Sequence, residues 1–342
     1  MKVLHVLASN KYSGAENVVC QIIQMFKGEI DMAYCSPDGE ISTTLSKNSI
    51  KFLPIKKLNK KELKRVIKEY QPDVIHAHDF RASVIASNMS KKIKVISHLH
   101  NNAPWLKKYG LKTFLYASTC KKYSKIMTVS ESVFNEFLFG EKFKDKLTVL
   151  GNPINTTEIQ KKAIEYEINQ NFDIGFCGRL TVAKNPTLLL DIIEKVKIDF
   201  PNVRVAVVGD GELKQEFNKN IEQKSLTENV KTFGFQENPY PIIKQCKLLL
   251  LPSLWEGFGL VAVEALSLGV PVVCSRVGGL PNIVGDDCGK LCDTIQDYCK
   301  EISKILSNGD YQKAKSIKAK NKAELLNNIA EYKNKLIKTY QA

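Results

Sequence analysis

In residues 1–150, segments with the apolar pattern of a buried strand alternate with segments that have the apolar spacing of a helix. Short apolar runs bounded by polar or turn residues predict buried strands, and the segments between them carry apolar residues at helical spacing. The predicted strands are 3–7, 31–35, 50–55, 73–78, 94–99, 125–129 and 147–150. The predicted helices are 15–26, 60–70, 81–89, 111–124 and 131–139. This alternation indicates an α/β fold with a parallel, doubly wound sheet.

A second series of the same kind begins after the turn residues Gly151-Asn152-Pro153 and a polar stretch at 155–171. Its predicted strands are 173–177, 203–208, 230–233, 248–251 and 270–274, and its predicted helices are 185–199, 212–222, 239–245 and 259–268. A charged, helical tail covers 311–342. We therefore predict two domains of similar architecture, 1–152 and 153–324, each long enough to bury its own core.

The formal net charge of +14 is concentrated in the first domain, where residues 1–150 hold 25 Lys and Arg against 13 Asp and Glu. Such a surface suits three kinds of partner: a nucleic acid, an anionic membrane surface or an anionic substrate. It is also explained without a partner, as the solvated surface of a lysine-rich chain. No helix-turn-helix, RNP motif or zinc finger accompanies the charge, so a nucleic-acid partner is not predicted.

Nine scattered cysteines without a C-x-x-C pair indicate a reducing compartment, and the Cys288/Cys292 spacing is interpreted as ordinary packing. The N-terminal residues lack the pattern of a signal peptide, and no apolar run reaches the roughly 18 residues of a membrane span. We therefore expect a cytoplasmic protein.

Open α/β sheets bind ligands beyond the carboxyl ends of their strands, so the segments that follow the strands are the candidate sites. Strand 248–251 leads into a loop whose glycines permit close backbone approach, and then into a helix whose N-terminal N–H groups suit a diphosphate. The candidate ligand-binding residues in this loop and helix are Glu256, Gly257, Phe258, Gly259, Leu260 and Glu264.

The donor-site signature of glycosyltransferase family 4 is similar to the stretch PSLWEGFGLVAVEALSLGVPVVCSRVGGLPNIV, and its E-x7-E motif corresponds to Glu256 and Glu264. The resemblance covers essentially the whole chain. It implies the GT-B fold, in which two Rossmann-like domains face each other across a cleft, with the donor on the second domain and the acceptor on the first. It also implies that a C-terminal helix at about 325–342 packs back on the first domain.

Further segments resemble the same family. Gly178, Arg179 and Lys184 match the segment in which an Arg and a Lys hold the donor diphosphate, where two cations oppose the pyrophosphate charge. Gly209 and Phe235 are similar to strand ends that line the base and ribose, although such glycines also serve as ordinary turns. The last match is Gly14, in the Gly-rich loop that faces the diphosphate; here Ser13 replaces the usual first glycine.

All five histidines lie within residues 5–100. His76 and His78 end one predicted strand, and His98 and His100 end another, which leaves a metal site open as an alternative. His5 lies inside a strand and is expected in the core. The resemblance implies a metal-free site in which His100 lies beside the sugar, with His98 as the second candidate.

The absence of a D-x-D motif favours a reaction that needs neither a metal nor another cofactor. Arg179, Lys184 and the helix N-terminus would stabilise the departing nucleotide diphosphate. The resemblance implies retention of anomeric configuration, and front-face attack is favoured because no nucleophile for double displacement stands out. In this scheme His100 positions the sugar, Glu256 binds sugar hydroxyls and Glu264 binds ribose hydroxyls.

The expected donor is a UDP-sugar, in preference to a GDP- or ADP-sugar. The expected acceptor is a saccharide or a polyprenyl-diphosphate-linked saccharide in capsule, exopolysaccharide or other cell-envelope glycan synthesis. Lysines and aromatic residues at 56–68, 91–92 and 107–122 suit peripheral contact with the inner leaflet. The alternatives are an epimerase of the same fold and a non-catalytic nucleotide-sugar-binding partner within an assembly complex.

Overall fold

The computed structural model describes residues 1–342. Contacts divide the chain into two compact units, the first comprising Met1–Pro153 and Ile329–Ala342 and the second Ile154–Asn328. The boundary expected from the sequence, between residues 152 and 153, differs by one residue from this division. None of the helices combines the length and apolar composition needed to cross a bilayer.

The first unit is built on a six-stranded sheet in which every pairing is parallel. Its strands are β1 (Lys2–Val6), β2 (Asp31–Cys35), β3 (Val74–His78), β4 (Lys94–Leu99), β5 (Lys125–Thr128) and β6 (Leu147–Val149). They lie in the order β2-β1-β3-β4-β5-β6. The chain therefore reverses its direction of winding between β1 and β3.

Helices connect these strands and cover the sheet. They are α1 (Gly14–Met25), α2 (Ile41–Lys47), α3 (Lys60–Tyr70), α4 (Asp79–Ala86), α5 (Leu111–Cys120) and α6 (Glu131–Asn135), together with the C-terminal α15 (Ile329–Gln341). The start of α3 is set by Asn59, whose side chain accepts the Glu62 N–H, and its end by Gln71, which adopts a left-handed conformation. Tyr332 and Tyr340 of α15 are fully buried in the first unit.

The second unit repeats the architecture with another parallel six-stranded sheet. Its strands are β7 (Phe172–Cys177), β8 (Val205–Val208), β9 (Val230–Gly234), β10 (Cys246–Leu251), β11 (Val272–Ser275) and β12 (Gly289–Cys292). The order is β12-β11-β10-β7-β8-β9, so the winding reverses between β7 and β10. Alternate residues of β10 enter different core clusters, Leu249 and Leu251 one and Leu248 and Leu250 the other, because successive side chains point to opposite faces.

The helices of the second unit complete these two cores. They are α7 (Thr156–Lys162), α8 (Pro186–Asp199), α9 (Lys214–Gln223), α10 (Tyr240–Lys244), α11 (Leu260–Ser267), α12 (Leu280–Ile283), α13 (Ile295–Ser307) and α14 (Gly309–Leu326). A capping box between Thr294 and Asp297 fixes the start of α13. Pro186 occupies the first turn of α8, where the missing N–H costs nothing.

The predicted strand at 50–55 is wrong. Only isolated bridges form there, between Tyr34 and Phe52 and between Pro37 and Ile55. Pro37 and Pro54 lack the amide hydrogens that a continuous ladder needs, so the segment follows β2 without joining the sheet.

One predicted helix is too long, and another helix was not predicted. The helix predicted at 131–139 ends at Asn135, because the Leu138 N–H donates to the Leu106 carbonyl (2.9 Å) instead of continuing the helix. The polar stretch 155–171, for which no element was predicted, contains α7, whose first turn is capped by the Asn155 side chain (3.1 Å from the Glu158 nitrogen).

Candidate functional site

The predicted ligand-binding residues of the second unit follow the carboxyl ends of adjacent strands. Arg179 and Lys184 come after β7, and Glu256 comes after β10, its immediate neighbour. Because the winding reverses between these two strands, their connections diverge and leave the sheet edge open at that point. Gly209 follows β8, and Phe235, which is 61% exposed, follows β9.

An ion pair joins the two central connections. The Lys184 ammonium contacts the Glu256 carboxylate, and both side chains are mostly buried. A backbone hydrogen bond from the Leu254 N–H to the Ala183 carbonyl (2.8 Å) holds the two loops side by side. The sequence placed both residues in one site, and the structure brings them into direct contact.

Arg179 differs from Lys184 in having no charged partner. Its side chain is exposed and its guanidinium makes neither a hydrogen bond nor an ion pair. Five donors in a planar fork are therefore available to an anion at this edge of the sheet.

Close backbone packing explains why position 209 is a glycine. Gly209 has a φ of +137°, and its N–H donates to the Gly234 carbonyl (2.7 Å). A Cβ at Gly209 would lie 1.9 Å from the Gly178 carbonyl oxygen. The ends of β7, β8 and β9 are thus held together at a distance that only glycine permits.

The loop after β10 is supported from behind by the turn after β11. A Cβ on Gly278 would lie 1.5 Å from the Glu256 carbonyl oxygen, so this turn packs directly on the loop backbone. Gly259 has a φ of +100° and precedes the first residue of α11, Leu260. The loop from Gly257 through Phe258 therefore ends at a helix N-terminus, where N–H groups lack intrahelical partners.

Glu264 lies one turn further along α11 and is half-buried. Burial raises its pKa to about 7, and the Tyr240 hydroxyl, which donates to Oε1 (3.2 Å), partly offsets this effect together with Lys162 and Lys184. Tyr240 was not predicted from the sequence, because nothing in the pattern of α10 distinguishes it from a packing residue.

In the first unit, Gly14 is the first residue of α1, and the Ser13 hydroxyl donates to the Glu16 carboxylate (2.5 Å). A Cβ on Gly14 would meet no atom within 4 Å, so the space beside it is open in the structure.

The five histidines of the first unit form one connected group. The His5 Nδ1 and His78 Nε2 atoms lie 3.0 Å apart, the His78 Nδ1 and His100 Nε2 atoms 2.8 Å, and the His76 Nε2 and His98 Nδ1 atoms 3.1 Å. Burial lowers the pKa of each, in the case of His100 to about 3. The imidazoles are therefore neutral at physiological pH.

Two further residues complete this group and were not predicted to contact it. The Tyr340 hydroxyl of α15 lies 2.9 Å from His76 Nδ1. Asp79, with a φ of +61°, accepts the His100 backbone N–H (2.9 Å), and burial raises the pKa of its carboxyl to about 6. A non-glycine residue in the left-handed region often marks a functional site. This feature is visible in the backbone of the structure and not in the sequence.

Comparison with known families identifies the chain. The model described as "Glycosyl transferases group 1" matches residues 146–323, and that described as "Glycosyltransferase Family 4" matches residues 12–158. This chain belongs to the glycosyl transferases group 1 family. The matched regions include every predicted site residue, from Gly14 to Glu264, and the predicted family is confirmed.

Three relatives illustrate the range of this family. An uncharacterized glycosyltransferase of Methanocaldococcus jannaschii is 28% identical over 72% of this chain and 65% of its own length. An N-acetylgalactosaminyltransferase of Campylobacter jejuni, whose name specifies a diphospho-undecaprenol-linked acceptor, is 30% identical over 54% of this chain and 51% of its own. An O-antigen biosynthesis glycosyltransferase of Escherichia coli is 26% identical over 81% of this chain and 80% of its own.

The fold prediction is confirmed by comparison with solved structures. Anabaena HepE, solved in complex with UDP-glucose, superposes with a TM-score of 0.86 at 21% identity, covering 100% of this chain and 99% of that one. At this identity the likeness establishes the fold alone, namely the GT-B fold of two Rossmann-like units.

Proposed function

We propose that this family member is a retaining, metal-independent glycosyltransferase that moves a sugar, most simply a hexose or N-acetylhexosamine, from a UDP-sugar to a saccharide acceptor. The observation that carries the proposal is the position of Arg179 and Lys184 at the winding reversal of the second sheet, where Lys184 contacts Glu256 in the loop that leads into α11. Two cations and unpaired N–H groups at one sheet edge suit a diphosphate.

The reaction follows from these groups. The bond between the anomeric carbon and the diphosphate oxygen breaks, the acceptor oxygen bonds to the same face of that carbon, and its proton passes to a phosphate oxygen. Arg179 and Lys184 stabilise the charge that develops on the leaving diphosphate. When Lys184 contacts the phosphate, the Glu256 carboxylate is released to accept hydrogen bonds from sugar hydroxyls.

The remaining residues bind and orient the donor. N–H groups around Phe258, Gly259 and Leu260 meet the sugar and phosphate, and Glu264 accepts the ribose hydroxyls. His100 keeps the role that the family resemblance gives it, which is to position the sugar. Crystals of HepE with UDP-glucose support a UDP-sugar as donor. The names of the Campylobacter and Escherichia relatives support a lipid-linked or growing saccharide of the cell envelope as acceptor.

Calorimetry with UDP in the presence of EDTA tests the donor site. Arg179→Ala is expected to weaken UDP binding by about 10- to 100-fold, since a hydrogen bond to a charged group contributes about 1.5–3 kcal/mol. Arg204→Ala is the matched control, because Arg204 is also exposed but lies just before β8, at the opposite edge of the same sheet. Equal affinity in both variants would refute the site.

A transfer assay separates catalysis from binding alone. The assay measures the release of UDP from a panel of UDP-sugars, with a polyprenyl-diphosphate saccharide as acceptor and EDTA present. The native protein is expected to release UDP, and the rate is expected to fall more than 100-fold in Glu256→Gln. UDP binding without release on any acceptor would favour the non-catalytic alternative. Release that requires added Mg²⁺ or Mn²⁺ would refute metal independence.

The first unit also offers a surface that suits a membrane-bound acceptor. Tyr109, Leu111, Phe114 and Leu115 on and before α5 are exposed by 76%, 87%, 53% and 44%. Exposed lysines, among them Lys112, surround them. Apolar side chains with lysines around them suit peripheral insertion into an anionic leaflet, where each lysine adds about 1 kcal/mol.

Sedimentation with vesicles of phosphatidylglycerol and phosphatidylcholine tests this contact. Leu111→Ser combined with Phe114→Ser is expected to reduce the bound fraction severalfold. Ile198→Ser in the second unit, where Ile198 is 77% exposed on α8, is expected to leave it unchanged. Unchanged binding in the double variant would exclude this surface.

A further inference from the structure

Two nitrogen atoms of the histidine group, His5 Nε2 and His98 Nε2, are buried and make no hydrogen bond. In each N···N contact between neutral imidazoles, one ring donates its N–H and the other accepts with a lone pair. Each ring therefore uses one of its two nitrogens for each neighbouring ring. His98 contacts His76 through Nδ1, while its Nε2 atom is fully buried and makes no hydrogen bond. Buried polar atoms are normally satisfied, and an orphaned one calls for an explanation.

His98 belongs to a group of three histidines whose nitrogen atoms lie close together. One nitrogen each of His78, His98 and His100 lies within 4.8 Å of the others, and the rings of His98 and His100 are 4.1 Å apart. Zinc binds imidazole nitrogens at about 2.0–2.1 Å, so three ligand atoms around one ion are about 3.3 Å apart. The 2.8 Å contact between His78 and His100 is shorter than this spacing and would have to lengthen when an ion binds.

Imidazole nitrogens suit borderline transition-metal ions such as zinc, copper and nickel. Asp79, which holds the His100 backbone, adds a carboxylate near the group and offsets part of the cation's charge.

We propose that His78, His98 and His100 form a binding site for a borderline transition-metal ion, with Zn²⁺ as the reference ion. His100 is partly exposed and gives the ion its path in. The second trio that geometry allows, His5, His76 and His78, is fully buried and has no such path. Three imidazoles leave a fourth position for water, as in an open zinc site.

Occupation of this site has a consequence that rests on the proposed function. If His100 positions the donor sugar, an ion bound to its Nε2 atom removes the ring from that task. Zn²⁺ is then an inhibitor of a transferase whose chemistry needs no metal.

Direct metal binding is measured on the full chain, by calorimetric titration with Zn²⁺ and by the visible absorption of Co²⁺. The native protein is expected to bind one equivalent and to give the absorption of a nitrogen-ligated Co²⁺ ion. His98→Gln and His100→Gln are each expected to weaken binding more than about 100-fold, which exceeds the 10- to 100-fold effect of losing an outer-shell partner. Two variants are used because His98 is fully buried, whereas the partly exposed His100 is replaced with less risk to folding.

Two controls locate the ion. His5→Gln is expected to weaken binding by no more than about 10- to 100-fold, because His5 contacts the ligand His78 but is not itself a ligand of this site. Cys299→Ser is expected to retain binding, since Cys299 is the one cysteine that is not buried. Absence of Zn²⁺ binding at micromolar concentration overturns the proposal, and so does loss of binding in His5→Gln with retention in His98→Gln.

Inhibition is measured separately, as UDP release at increasing free Zn²⁺. Inhibition at the concentration that saturates the site is expected, with relief by EDTA. Zn²⁺ binding without inhibition would retain the metal site and contradict the proposed role of His100, so the two ideas fail independently.

Discussion

Glu264 should make the second unit less stable as pH rises. Its carboxyl has a pKa of about 7 in the folded chain, against 4.5 for an exposed glutamate. The folded state therefore holds the proton more tightly than the unfolded state between these two values. The contribution of Glu264 to stability is therefore most favourable below pH 4.5, falls as pH rises through the interval, and levels off above pH 7.

The magnitude follows from the difference in pKa. About 2.5 units at about 1.36 kcal/mol each give an upper limit of about 3.4 kcal/mol. Glu264 is only half-buried, so solvent reduces this, and we expect about 1–3 kcal/mol. Glu264→Gln keeps the shape of the protonated carboxyl, can still accept the Tyr240 hydroxyl, and removes the ionisation.

Urea unfolding of the native chain and of Glu264→Gln, compared at pH 4.5, 6 and 8, measures the effect. The two should be about equally stable at pH 4.5, and the variant should be more stable by about 1–3 kcal/mol at pH 8. Glu216→Gln, which replaces an exposed glutamate on α9, is the control and should give no such pH-dependent gain. A difference between native chain and Glu264→Gln that stays flat from pH 4.5 to 8 would show that the carboxyl is solvated and the reasoning wrong.

Three further predictions concern packing and charge, each measured by urea unfolding. Gly209→Ala should destabilise the protein more than Gly234→Ala does, because both positions have positive φ but only at Gly209 would a Cβ meet a backbone atom. A similar loss of stability in the two variants would contradict the close approach of the Gly209 and Gly178 backbones. Lys315→Ala should cost about 3–5 kcal/mol, because it leaves the Glu301 carboxylate buried without the ammonium 3.1 Å away; a cost below 1 kcal/mol would mean that water reaches Glu301. Asn59→Ala should cost about 1 kcal/mol through the lost cap of α3, and no change would indicate that water replaces it.

Much of the fold was readable because parallel strands are short, apolar and flanked by helices. Strands 31–35 and 94–99 and helix 60–70 were predicted with the bounds that the structure has. The failures occurred where a tertiary hydrogen bond or a proline decides the outcome. The bond between Leu138 and Leu106 joins residues far apart in sequence, and no local pattern encodes it.

The candidate site shows the same limit. Reading the segments after each strand pointed to the loop that holds Glu256, because the carboxyl ends of parallel strands lie at one edge of the sheet. Arg179 and Lys184 came from the family resemblance. The ion pair between Lys184 and Glu256 depends on a backbone bond between two loops, which the sequence does not reveal. Likewise His76/His78 and His98/His100 each occupy alternate positions of one face, but the register that pairs His78 with His98 appears only in the sheet.

The position of α15 has a consequence for synthesis on the ribosome. The sheet of the first unit is complete once residue 149 has been made, yet Tyr340, which contacts His76, is added only after the entire second unit. At about 5–20 residues per second, the nascent chain carries the first unit without its last helix for about 10–40 s. During that interval the apolar surface that later receives Tyr332, Leu336 and Tyr340 is uncovered, and it is the part of the newborn protein that a chaperone would contact.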